Sequence, residues 1–236
     1  MELQDLIEEF RRQVSDEDQP YLWSDPEVLD YAIDAQDTLV RRTGGLADVT
    51  VAAADIGSPQ TRLQDLALVA SSPYSLISPY VLRIRSGRLL TAARDIIVGQ
   101  ESDMQKVMVE DYGWSVGAAF DDAETGDVRH GVLGVRENYV RWVKVPAATD
   151  TCRLHVFRLP YPRIAAQEDD LEVQAQHHRA LLLHMKHLAY SKQDAEARDD
   201  KQAATNETMF AQYCATARQE IDRVRYRPRV VQYGGL

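Results

Sequence analysis

Four histidines fall within eleven residues, His177, His178, His184 and His187. His184 and His187 stand one helical turn apart, a spacing that lets two imidazoles share one face and bind zinc. The HExxH pattern is missing and no second group of ligands accompanies them. They are therefore read as hydrogen-bonding side chains of a helix, with His177 at its buried edge. Adjacent carboxylates occur at Glu8-Glu9, Glu110-Asp111, Asp121-Asp122 and Asp169-Asp170. Glycoside hydrolysis needs two carboxyls about 5–10 Å apart across a cleft, one with a raised pKa. Neighbouring acids in a loop or a first helical turn face solvent instead. Cys152 and Cys214 lack metal-ligand spacing and read as free thiols of a reducing cytosol. Gly44-Gly45 and Gly234-Gly235 lack the Lys-Ser/Thr of a phosphate loop, and no GxSxG motif is present. The reading is a non-enzyme with no cofactor and no metal.

A different chemistry is concentrated from Val224 to Leu236, where Arg225, Arg227 and Arg229 alternate with Tyr226 and, further on, Tyr233, with no acid among them. This stretch has little from which to build a core. It suits an extended segment that orders in a partner's groove through main-chain pairing and aromatic anchors. Arginine and tyrosine are also enriched at binding hot spots. The same side chains could clamp a phosphate backbone and stack bases, which makes a nucleic-acid-binding module the alternative. The rest of the chain opposes that alternative. Net charge is −10, and residues 1–48 hold 13 acids against 4 bases, a net of −9, whereas residues 218–236 carry a net of +3. An acidic body argues against tight binding to nucleic acid. The acids read as ordinary solvated faces that keep the protein soluble, and a surface that DNA slides past without sticking would have the same sign.

The elements that position these groups follow from periodicity. Leu3, Leu6, Ile7, Phe10 and Val14 form a helical stripe. Ser24, Pro26 and Glu27 signal the start of a second helix, which presents Val28, Leu29, Ala32, Ile33, Gln36, Leu39 and Val40 and stops at Gly44-Gly45. The two are expected to pair. A third helix is expected over Asp169–Tyr190, with Val173, His177, Ala180, Leu181, His184 and Leu188 on one side. A fourth presents Phe210, Cys214, Ala217, Ile221 and Val224, and packs on the third as a helical hairpin through Ser191 to Asp194.

Between the pairs the period falls to two. Strands are expected at Val49–Ala53 and at Leu63–Val69, and Tyr74–Arg85 is expected to hold more strand or a short helical turn around Pro79. Tyr139–Val145 and Thr151–Leu159 are expected to form a hairpin around a five-residue loop. Trp114, Tyr139 and Trp142 are expected to anchor this β core, Asp103–Val109 to form a short helix, and Asp121–Gly131 an exposed acidic loop. The expected fold is α+β, mainly α: a four-helix bundle core from residues 1–45 and 165–224, a β-rich insertion at 46–160, and an extended tail at 225–236. With 236 residues, 44% apolar and 27% charged, the chain can bury one large or two small cores. Its apolar runs fall short of the roughly 18 residues of a membrane span, and Met1–Asp5 is acidic where a signal peptide is basic.

The order of these elements resembles the head-to-tail adaptor (connector) proteins of tailed bacteriophages: helix pair, β-rich insertion, helix pair, basic tail. Trp23-Ser24-Asp25 is similar to the family's opening of the second helix, and Leu159-Pro160 to the end of its last strand. The acidic run up to His177, with Leu181 and Ala189-Tyr190, resembles its third helix. Asp194-Ala195-Glu196 resembles the helix junction, and Phe210 the aromatic of the fourth helix. The likeness covers most of the chain outside Ser86–Gly134.

The resemblance implies a structural virion protein of the neck. It would be a homo-oligomeric ring, dodecameric, between the portal protein and a tail tube or nozzle protein, with packaged DNA passing through its channel unbound. Portal docking would fall to Arg225, Tyr226, Arg227, Arg229 and Tyr233. The acidic first two helices would line the channel or form the outer rim. A neck or tail-completion protein one ring further down is the related alternative.

Overall fold

Residue Arg11 sets how the chain enters its second helix. The computed structural model describes residues 2–48, 65–102, 124–161, 164–167, 169–193 and 198–225. Helix α1 (Leu3–Gln13) buries Leu3, Leu6, Ile7 and Phe10, and it also buries Arg11. The Arg11 guanidinium reaches Asp16 at 2.7 Å, the Trp23 carbonyl at 3.1 Å and Asp25 at 2.5 Å, and lies 3.8 Å over the Tyr21 ring. Asp16 in turn accepts the Leu22 N–H at 2.6 Å. The connection from α1 to α2 is thus folded around a buried ion pair. Such a pair is costly to desolvate, and it holds only because its remaining hydrogen-bonding positions are filled.

Helix α2 (Asp25–Thr43) starts as its sequence signals. Ser24 and Glu27 form the reciprocal capping box, and Gly44 ends the helix at φ +90°, a left-handed conformation that glycine adopts without penalty. A side chain at Gly44 would also collide with the Arg218 guanidinium. Helix α3 (His178–Ser191) follows a 3₁₀ turn at Ala175–His177, and α4 runs Asp200–Arg225. Helix α3 is the hub: α4, α2 and α1 all pack on it, while α1 barely touches α2. Trp23, fully enclosed, meets Phe10 of α1 and Tyr190 of α3 edge-on, with ring centroids 6.1 and 6.3 Å away. Edge-to-face pairs of this kind add about 0.5–1.5 kcal/mol beyond the area they bury.

The third helix starts nine residues later than its acidic run suggests. Asp169 accepts the N–H groups of Ala165 and Ala166 at 2.7 and 3.0 Å, and Glu172 accepts the Tyr161 N–H at 2.8 Å. These acids cap local turns rather than the helix dipole. Val173 and His177 therefore precede α3, whose buried side is His178, Ala180, Leu181, Leu182, His184, Met185 and Ala189.

Leu46–Arg158 forms a separate compact unit, the helices belonging to the other, Met1–Gly45 with Leu159–Leu236. Its strands are β1 (Leu46–Asp48), β2 (Asp65–Leu68), β3 (Tyr74–Leu76), β4 (Val81–Leu89), β5 (Arg94–Gln100), β6 (Thr125–Gly126), β7 (His130–Leu133), β8 (Tyr139–Trp142), β9 (Val145–Pro146) and β10 (Asp150–Arg158). Eight of them make one mixed sheet in the order β1-β10-β4-β5-β7-β8-β3, with β2 also on β10. All pairs are antiparallel except β5 with β7; β6 and β9 make a small parallel pair. Alternate residues of β10, Cys152, Leu154 and Val156, point into a core with Leu66, Leu68, Ile84, Ile96, Val98, Val140 and Trp142. Gly131 admits the Trp142 ring, since a Cβ there would lie 2.9 Å from it.

The sheet curls back on itself. The Ser75 hydroxyl on β3, the last strand of the path, donates to the Ala67 carbonyl on β2, which lies off the path against β10, at 2.7 Å.

This overturns the mainly-α expectation of a four-helix bundle core with a β-rich insertion. The described chain has four helices and a large curled mixed sheet. The physical reason is a sheet that carries a full apolar core of its own. The expected hairpin of Tyr139–Val145 with Thr151–Leu159 does not form either: β8 pairs with β7 and β3, and β10 with β4, β1 and β2. Trp142 anchors the core as expected, but Tyr139 is half-exposed and meets Tyr74 edge-on at 6.3 Å. Trp114, Val49–Ala53 and Asp103–Val109 lie outside the described residues, as does the start of the acidic loop.

Candidate functional site

The histidines are spent on structure. His177 Nδ1 lies 2.8 Å from the Tyr213 hydroxyl on α4, which joins the 3₁₀ turn to that helix. Burial pushes the His177 imidazole below its ordinary range. His178 Nε2 meets the Val173 carbonyl at 2.8 Å, and His187 Nδ1 the Ala203 carbonyl at 3.1 Å. His184 is buried between three helices. Its Nε2 lies 3.0 Å from Asp34 on α2, and its Nδ1 lies 3.3 Å from Glu207 on α4, outside hydrogen-bond geometry. Glu207 also takes Arg42 at 2.6 Å. Burial acts to raise the Glu207 carboxyl, and the Arg42 guanidinium outweighs it, so this acid titrates below its usual range. Among the described residues no group of three or more His, Cys, Asp or Glu is arranged to hold a metal.

The other chemistry-bearing residues fall apart in space or serve locally. Glu8 is exposed on α1 and its neighbour Glu9 pairs with Arg12 at 2.5 Å. Glu110, Asp111, Asp121 and Asp122 lie outside the described residues. Both thiols are buried, and burial raises Cys152 to about 12 and Cys214 to about 11, far from the thiolate needed for nucleophilic chemistry.

What the described surface offers is faces for contact. The proposed docking segment begins where α4 ends: Arg225 is its last residue, and Tyr226, Arg227, Arg229 and Tyr233 lie outside the described residues. On the helical unit, Asp5, Glu8 and Glu9 line an open cleft of about 470 Å³ with Arg12, Arg179 and Leu182. The outer side of α4 is uncharged from Thr208 to Ala217, and the hydroxyls of Thr205, Thr208 and Thr216 turn back to carbonyls four residues earlier at 2.8, 2.8 and 3.1 Å. On the sheet unit, Leu76 and Ile97 are 65% and 59% exposed, far beyond what a core residue shows. Arg83, Arg85 and Arg88 stand exposed along β4. Sequence reasoning missed this arginine row, because three arginines within six residues of an alternating strand read simply as its wet side.

Among the described residues, the helical unit and the curled sheet each carry exposed apolar and charged side chains. The SU10 adaptor protein family model matches residues 1–232, and the chain belongs to that family. A search of curated proteins finds no match. Membership identifies it as a phage head-to-tail adaptor, a virion-associated structural protein that works with other head and tail proteins. Among the described residues no helix is long and apolar enough to cross a membrane.

Proposed function

We propose that the protein sits in the virion neck, at the capsid–tail junction, as a ring between the portal protein and the tail. The ring, of twelve copies, extends the DNA channel and offers the docking surface for a tail tube or nozzle protein; before assembly the protein resides in the host cytoplasm. The observation that carries this reading is the adaptor-family match across residues 1–232. Its exposed apolar side chains, Leu76, Ile97 and Met209, are what a protein that completes its surfaces in an assembly would keep. Portal docking is assigned to Arg225, Tyr226, Arg227, Arg229 and Tyr233, which in the sequence close and follow α4 and combine aromatic anchors with positive charge. DNA passes the acidic body without specific binding.

The test is the mass of the purified protein, alone and mixed with its portal ring, by native mass spectrometry. Addition to the ring in a fixed multiple of 26.7 kDa is the expected result. No association at any salt concentration would overturn the reading.

A further inference from the structure

The outward side of β4 and β5 is a built surface. Opposite β4, strand β10 sets Arg153 against Arg88, His155 against Ser86 and Phe157 against Arg83. The register then slips between His155 and Val156, whose partners are Ser86 and Ile84, so Arg85 is the extra, unopposed residue of a β-bulge. Bulges re-aim a side chain, and this one leaves Arg85 exposed. Its neighbours are already engaged: Arg88 pairs with Asp95 at 3.0 Å, Arg153 with Asp65 at 3.0 Å, and Arg83 lies 4.3 Å over the Phe157 ring. Arg85 has no carboxylate partner among the described residues. Two positions along β5 from Asp95, and so on the same side, Ile97 is 59% exposed. An unpaired arginine beside a bare isoleucine asks for a partner that is both acidic and partly apolar.

The same chain carries such a surface. Asp5 and Glu8 are exposed on α1 and meet only local donors, the Glu2 N–H at 3.0 Å and the Gln4 amide at 3.3 Å. Among the described residues neither is paired with a cation. They line a cleft with Glu9, Leu182 and two arginines, Arg12 and Arg179, and they belong to the segment of net charge −9. Duplex DNA fits the sheet surface less well, since Asp65 and Asp95 are interleaved with its arginines and would repel phosphates.

We propose that the outward face of β4 and β5, centred on Arg85 and Ile97, seats the acidic edge of α1, Asp5 and Glu8, of a second copy of this chain. The inference rests on the ring reading above and adds which surfaces meet. The two surfaces are different, so the contact is head-to-tail, the kind that closes into a ring when its rotation is right.

The experiment is a charge swap in the full-length protein, reading copies bound per portal ring and self-association by native mass spectrometry and sedimentation. R85E alone and D5K/E8K alone should each weaken copy-to-copy association about tenfold, with stronger salt sensitivity in the wild type than in either variant. R85E combined with D5K/E8K should recover most of the loss. I97D should weaken association without being rescued by the swap. Asp5 caps α1 through the Glu2 N–H, so D5K lowers melting by itself; E8K without D5K, combined with R85E, keeps circular dichroism and melting unchanged and carries the test apart from folding. A wild type that never gathers copies, alone or on the portal, overturns the ring reading and this contact with it. A wild type that forms rings while the charge variants do so equally well overturns the contact alone. So does a swap that fails to restore association, or an R85E protein that loses only retention on duplex DNA.

Discussion

The indole N–H of Trp142 donates to the Ser75 hydroxyl at 2.9 Å, and this serine passes its own proton on to the Ala67 carbonyl. One side chain thereby satisfies the polar atom of the largest residue in the sheet core and ties β3 to β2. Ser75→Ala leaves the buried Trp142 N–H without an acceptor and opens the seam between β3 and β2. The expected cost is about 1–3 kcal/mol. Thermal unfolding measures it, and tryptophan emission shifted to the red would report water reaching Trp142. A melting temperature equal to the wild type's would mean that the strands hold together without this link.

Arg11 and Asp16 make a sharper contrast. With 8% and 5% of their side chains exposed, removal of Arg11 strands the Asp16 charge, whereas Arg11 without Asp16 still has Asp25. Arg11→Ala is expected to destabilise the protein by about 3–5 kcal/mol, the cost of an uncompensated buried charge. Asp16→Asn costs less, because an amide oxygen still accepts the Leu22 N–H. Chemical denaturation of both variants checks the order, and equal losses would contradict it.

His184 bridges α2 and α4 through Asp34 and Glu207 and stacks 4.7 Å from the Phe210 ring. His184→Ala should cost about 2–5 kcal/mol, combining a lost hydrogen bond to Asp34 with a void beside Phe210. His184→Gln should recover part of that loss by keeping one hydrogen bond to Asp34. If the Gln variant proved less stable than Ala, the bridge would not be the reason for the loss.

Acid stability can be read at Glu27. Lys192, at 2.8 Å, and the Ser24 cap hold its carboxyl at about 2, below the ordinary 4.5. A depressed carboxyl stabilises the fold above its unfolded value and loses that contribution as pH falls through the folded one. Glu27→Gln should therefore flatten the fall in stability between pH 4.5 and about 2. The effect will be modest, since the pair is partly solvated. Urea midpoints across that range, with sensitivity to 1 M salt as a second axis, test it; parallel curves for both proteins would rule it out.

Truncation at Val224 tests the portal-docking assignment directly. Loss of portal binding with the melting temperature preserved is expected, because Tyr226, Arg227, Arg229 and Tyr233 follow the end of α4. Portal binding as tight as the full chain's would remove the tail from the proposal.

Local signals carried well through the sequence, and long-range ones did not. Ser24, Pro26, Glu27 and Gly44 act within one helical turn of themselves, so the limits of α2 could be read directly. The stripe of α1 and the Phe210, Cys214 and Ala217 side of α4 were equally plain, since each needs only a period. The start of α3 was misjudged because Asp169 and Glu172 sit where helix-capping acids would, and nothing local reveals that turn N–H groups claim them instead. Alternation in Thr151–Leu159 marked a strand without naming its partners, and proximity wrongly suggested Tyr139–Val145. Arg11 and Arg85 were invisible for one reason. An arginine reads as solvent-exposed in any pattern, and only folding shows which is entombed and which is left waiting.

Strand β10 also has a consequence in time. Leu46 pairs with Arg158, Asp65 with Arg153, and β4 lies along its other edge. On the ribosome, β4–β5 and β7–β8 can zip locally, but β1 and β2 must wait for the last strand of the unit to emerge. Such closure is slow, because long loops lose their entropy before any contact repays it. Throughout that delay a segment of net charge −9, residues 1–48, has already left the ribosome, and like charge on neighbouring nascent copies opposes pairing of their open edges.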